Sequence, residues 1–164
     1  MNKKQLLTIL IPATCFFSVA QAHVKFEQSE APAGQYHIAG LVIPHGCDDS
    51  STTKITVNIP EGVTQVVPRA LHGWQLERSM RKLQQPISVR GEMLTETVNQ
   101  VSWSQGDLPS FAYQRFDLSL KLPESAGTTL WFHVTQVSAQ GKALWTNLPA
   151  YASAKVLHPG PFLK

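Results

Sequence analysis

From residue 23 onward, apolar and polar positions alternate with a period of two. Ile55, Val57 and Ile59 alternate with Lys54, Thr56 and Asn58. Phe116, Leu118, Leu120 and Leu122 alternate with Asp117, Ser119 and Lys121, and Leu130, Phe132 and Val134 with Trp131, His133 and Thr135. Each stretch has one face to bury and one to wet, which is the pattern of a strand. Turn-forming clusters divide the stretches: Pro32-Ala33-Gly34, Pro44-His45-Gly46, Pro60-Glu61-Gly62, Gly106-Asp107-Leu108-Pro109 and Pro123-Glu124-Ser125-Ala126-Gly127. Short strands at this spacing predict an all-β sandwich or barrel. Gln75 to Gln85 is the one stretch that fits a short helix, and it fits a strand with a polar loop equally well. His158-Pro159-Gly160-Pro161 can propagate neither a helix nor a central strand. The segment 158–164 is therefore expected as a tail that lies across the surface or is loose. No repeat, linker or low-complexity tract interrupts the chain, and a single domain over 23–157 is the economical reading.

The first 22 residues follow a different pattern. Met1-Asn2-Lys3-Lys4 is positively charged, Gln5 to Val19 is mostly apolar, and Ala20-Gln21-Ala22 is an A-x-A cleavage signal. This order is that of a secretory signal peptide. The apolar run is short against the roughly 20 residues that a spanning helix needs. Cleavage after Ala22 would leave a mature chain that starts at His23, is periplasmic and retains no membrane span. That mature chain keeps one cysteine, Cys47, so it forms no internal disulfide. An unpaired thiol is unusual in an exported protein, and burial as a small hydrophobe is the expected state of Cys47.

Composition narrows the function. The 164 residues are 43% hydrophobic and 15% charged, against about 25% charged in a typical soluble domain. That is one domain with a core, and too much apolar content for disorder. The formal charge of +3 loses two lysines, Lys3 and Lys4, with the leader and falls to +1. A nucleic-acid binder carries a stronger basic excess. There is no H-E-x-x-H or C-x-x-C motif, no G-x-S-x-G nucleophile elbow, and no Gly-rich phosphate loop. Asp48-Asp49 lacks the alternating ligands of a calcium loop.

What remains is histidine chemistry. A mature N-terminal His23 offers two nitrogen donors, its α-amine and its imidazole Nδ1, which close a compact chelate on one metal ion. Nitrogen donors in a planar arrangement suit Cu(II), which stands at the top of the divalent affinity order. Any residue left before His23 turns the amine into an amide and removes the chelate. The plainer alternative is that His23 merely follows the signal. His45 sits where an apolar strand gives way to a turn, either aimed toward the N-terminus or hydrogen-bonded to backbone. Cys47 beside it offers soft sulfur for Cu(I) or simply fills space. Trp145 follows a polar loop and need not be core; a tryptophan over a metal site excludes water. His37 is expected to face solvent, and His72, His133 and His158 carry weaker signals.

Taken in order, Ala22-His23-Val24, Glu30-Ala31-Pro32-Ala33-Gly34, His45-Gly46-Cys47-Asp48, Thr52-Thr53-Lys54, Ile59-Pro60-Glu61-Gly62-Val63, Gly73-Trp74, Leu122-Pro123 and Ala126-Gly127-Thr128-Thr129-Leu130 resemble the YcnI-like family of exported bacterial copper-binding proteins over residues 22 to 149. The resemblance implies an immunoglobulin- or cupredoxin-like β-sandwich. It also implies a Cu(II) site built from an N-terminal histidine, a carboxylate and a tryptophan. His23 matches that histidine and Trp145 that tryptophan. The family's glutamate position is occupied by Pro44-His45-Gly46, so His45 is inferred to replace it, with Glu27 and Glu30 as fallback oxygen ligands. The implied function is a periplasmic Cu(II)-binding protein for copper acquisition or trafficking, a binder and not an enzyme. Its expected partners are the copper ion and other periplasmic copper-trafficking proteins or membrane copper transporters. Two alternatives stand beside it. One is a copper monooxygenase acting on a glycan, which needs a flat, often aromatic surface that Trp74 or Trp131 would supply if exposed. The other is a metal-free envelope module that binds another protein through a strand edge.

Overall fold

The computed structural model describes residues 23–46, 50–148 and 158–164. The leader and Cys47 lie outside the described residues, so the expectations for them stand as the sequence leaves them. Among the described residues every regular element is a strand, as the period-two patterning predicts. In chain order these are β1 (Lys25–Phe26), β2 (Tyr36–Ile43), β3 (Thr52–Asn58), β4 (Thr64–Pro68), β5 (Gln75–Val89), β6 (Glu92–Ser104), β7 (Gln114–Lys121), β8 (Leu130–Trp131), β9 (His133–Ser138), β10 (Gly141–Trp145) and β11 (Phe162–Leu163). One sheet has the order β1-β2-β7-β4, the second β10-β9-β3-β6-β5, and β11 pairs with β8 in a small third sheet. All strand pairings are antiparallel.

Alternation decides which side chains form the core. Leu41 and Ile43 of β2, Ile55 and Val57 of β3, Phe116, Leu118 and Leu120 of β7, and Val134 of β9 are all 0% exposed. Their neighbours along each strand are wetter, as expected of a sheet with one face buried. Aromatic rings join the two layers edge to face: Trp103 of β6 lies 5.2 Å from Phe116 of β7, and Phe26 of β1 lies 4.8 Å from Phe132. Such T-shaped contacts favour the positive edge of one ring against the negative face of the other.

Three local readings are refined. Gln75 to Gln85 is strand, not helix: it forms most of β5, which pairs with β6 through a two-residue loop. That loop, Arg90-Gly91, has φ of 52° and 86°, the double positive φ of a type I′ hairpin turn. The run from Leu130 to Thr135 is broken at Phe132, because the chain changes partners there. Leu130 and Trp131 pair with β11, whereas His133 onward pairs with β3, and the Phe132 N–H between them donates to Pro161 O at 2.8 Å. The tail is neither wholly superficial nor loose. Leu163 is 1% exposed, and the Lys164 N–H donates to Ser29 O while its C=O accepts from Ala31 N–H, both in the segment that follows β1. The Pro-bearing part, 158–161, makes one isolated bridge, Asn147 to Pro159, which agrees with its inability to join a ladder.

Candidate metal centre

His23 enters immediately ahead of β1. Lys25 pairs with Val42 and Phe26 with Leu41, so β1 is the edge strand of its sheet. Val24 and Phe26 are 2% and 3% exposed, which commits the even positions to the core and leaves the His23 side chain in solvent. Trp145 ends β10, the edge strand of the other sheet. Its indole is 4% exposed, more buried than a residue after a polar loop need be. The His23 imidazole stands edge-on to it at 6.3 Å between ring centroids and 88° between planes. The two residues that the sequence ties to one site, 122 positions apart, are therefore neighbours at one edge of the sandwich.

A buried amide organises this edge. Gln136 of β9 is 2% exposed. Its Oε1 accepts from Trp145 Nε1 at 3.2 Å. Its Nε2 donates to the His45 carbonyl at 2.9 Å and to Thr52 Oγ1 at 2.8 Å. With its N–H engaged, the Trp145 indole offers a face and an edge to the site but no donor atom. His45 is tied to the same amide through its backbone. Its ring is exposed, and Nδ1 lies 2.6 Å from Gly46 O. A carbonyl only accepts, so Nδ1 carries the hydrogen and the Nε2 lone pair of the neutral ring is left open. A hydrogen bond at one imidazole nitrogen fixing the other as a ligand is the usual way such rings are oriented.

The fallback carboxylates are placed elsewhere. Glu27 Oε2 pairs with Arg115 Nη1 at 2.7 Å, and Arg115 also holds the part-buried Asp117. That hydrogen bond to Asp117, ahead of the charges of Asp117 and Glu27, raises the Arg115 guanidinium above its ordinary pKa. Glu30 lines a groove of about 550 Å³ with Pro32, Pro123, Leu130 and Leu163; His23, His45 and Trp145 do not line it. Among the described residues no three His, Cys, Asp or Glu side chains converge closely enough to hold a metal ion.

Of the other histidines, His72 and His133 are exposed. His37 does not simply face solvent: its Nε2 is buried without a hydrogen-bond partner, and burial pushes its pKa below the ordinary value. His158, carried by the tail, contacts Trp145 at 4.7 Å between centroids and 67° between planes. Neither Gln136 nor His158 stands out in the sequence. Gln136 looks like any polar residue on a strand, and His158 sits in a Pro-Gly-Pro segment that reads as unstructured. Trp74 and Trp131 are only partly exposed. Trp74 packs on Phe116 at 5.1 Å and Trp131 on Phe162 at 5.0 Å, so neither presents a free flat platform. Gly106 lies under the Trp74 ring so closely that an added Cβ would fall 2.2 Å from it. No helix among the described residues is long and apolar enough to cross a membrane.

Fold and site together define an immunoglobulin-like β-sandwich with histidines gathered on a tryptophan at one edge. The chain belongs to the family described as a domain of unknown function, DUF1775, whose profile matches residues 23–164. This is the YcnI-like family domain. Among solved structures the chain is similar to an uncharacterized protein from Nocardia farcinica with an immunoglobulin-like fold. That pair shares 24% identity with a TM-score of 0.64, over 86% of this chain and 96% of that one, a likeness of fold. No curated protein matches the sequence.

Proposed function

We propose that this protein is a periplasmic Cu(II)-binding protein of copper acquisition or trafficking, and that His23 anchors the ion. The observation that carries the reading is the exposed His23 imidazole held edge-on to the buried Trp145, whose own N–H is occupied by Gln136. Side chains alone give no three-residue site among the described residues. A donor set therefore needs the backbone amine that cleavage after Ala22 would free. The α-amine and Nδ1 of His23 form the chelate, and His45 Nε2 is the imidazole available from the neighbouring turn. Nitrogen donors of this kind favour Cu(II) over the other common divalent ions. Trp145 walls the ion from water on one side without ligating it. The family match beginning at His23 is consistent with a mature chain that starts there. Binding, not turnover, is the task, and copper is cargo to be passed to periplasmic carriers or membrane transporters.

The test compares Cu(II) affinity, by competition with a chelator, of protein beginning at His23 and of protein with one alanine added before it. The extension should weaken binding by at least a hundredfold, roughly 2.7 kcal/mol, because the amine becomes an amide. Equal, tight binding by both would move the site to internal residues such as His45 and Cys47. Failure of both to bind would end the copper reading.

A further inference from the structure

We propose that His158 supplies a second imidazole to the metal centre at His23 and Trp145, so that the two ends of the mature domain close on one ion. The proposal rests on the reading above that His23 anchors Cu(II), and it puts His158, which neither the sequence motifs nor the family match assigns, in the second-imidazole position in place of His45.

Among the described ring contacts, Trp145 has two histidine partners, His23 at 6.3 Å and His158 at 4.7 Å. His158 is the nearer, and it is not delivered there by a regular strand. Its backbone sits at φ 50°, a left-handed conformation that is uncommon for a residue with a side chain. The surrounding chain holds it there. Its carbonyl accepts from Asn147 N at 3.3 Å, and Gly160 N donates to Asn147 O at 3.0 Å. Downstream, Pro161 O accepts from Phe132 N at 2.8 Å, Leu163 is in the core, and Lys164 bonds to Ser29 and Ala31. The same run of contacts that fixes His158 on the indole therefore also holds the tail beside the segment that follows His23.

Among the described residues the His158 ring makes no hydrogen bond, whereas the Nδ1 of His45 is used on Gly46. The Trp145 N–H is consumed by Gln136, so the contact with His158 is not an indole–imidazole hydrogen bond. An imidazole has two nitrogens and can ligate while its ring edge rests on a tryptophan. A chelating amine and imidazole from His23 leave coordination positions that a neutral imidazole fills well on Cu(II).

The experiment uses mature protein from His23 to Lys164 with Cu(II) alone. Pulsed EPR counts the coordinated imidazoles in the unmodified protein, and chelator competition gives the affinity of H158N and H45N. Asparagine tolerates a positive φ, so His158→Asn should keep the tail in place, and an unchanged copper-free melting curve checks this. We expect two coordinated imidazoles in the unmodified protein. His158→Asn should leave one and weaken Cu(II) binding about tenfold or more. A single imidazole in the unmodified protein would overturn the proposal. So would loss of the second one in H45N but not in H158N. In both cases copper binding itself would stand. Unmodified protein that binds no Cu(II) would sink the copper reading and this proposal together.

Discussion

The amide of Gln136 shows how much of the site rests on one side chain. It satisfies the Trp145 N–H, the His45 carbonyl and the Thr52 hydroxyl from a position that is 2% exposed. Gln136→Met keeps the volume and removes all three bonds. A buried polar group left unpaired costs about 1–3 kcal/mol, so urea denaturation should show a loss of at least about 2 kcal/mol. An unchanged midpoint would mean that the three groups find other partners. The closeness of His23 and Trp145 is legible in the sequence because each has a recognisable position, one after an A-x-A pattern and one late in a family pattern. Gln136 is not legible, because its role depends on three partners brought from β10, β3 and the turn at His45. The fate of His37 is hidden for the same reason: alternation assigns a face but does not say what the neighbouring elements leave over it.

At the scale of elements, the inner parts of the strands follow from alternation and the outer parts follow from turns. β3 and β7 fall where their apolar positions predict. The long β5–β6 hairpin does not, because half of it buries nothing. Residues 83 to 96 include no buried position, and burial begins at Thr97. The turn Arg90-Gly91 lacks the Asn-Gly or Asp-Gly signature of its class, so it passes unnoticed in the sequence. Gly91→Val would force a β-branched residue to φ near 86°, at a cost of roughly 1–2 kcal/mol. The damage should be local. Amide exchange should quicken at Ile87, Val89 and Leu94, while Val101 and Trp103 keep their protection. Equal acceleration in both groups would show that the hairpin and sandwich open as one unit.

For the whole molecule, the decisive feature is the short sheet in which β11 covers β8. Leu163→Ala removes a side chain that is 1% exposed and should cost about 2–5 kcal/mol by urea denaturation. A loss under about 1 kcal/mol would mean that the tail rests on the sandwich without bracing it. Proline and glycine make this tail read as one that lies across the surface or is loose, and they do keep 158–161 out of any ladder. What they cannot reveal is the two-residue strand beyond them, too short to show a period. This arrangement also sets an order of events during synthesis. Ribosomes build from the N-terminus, so β1 exists long before the segment that borders it, and 158–164 is the last of the described residues to be made. Until Lys164 reaches Ser29 and Ala31, the start of the chain has an open flank and Trp145 lacks one of its two histidines. The edge that carries the site is thus assembled from the earliest and the latest parts of the domain, and a chain cut short before residue 158 would leave that edge unfinished.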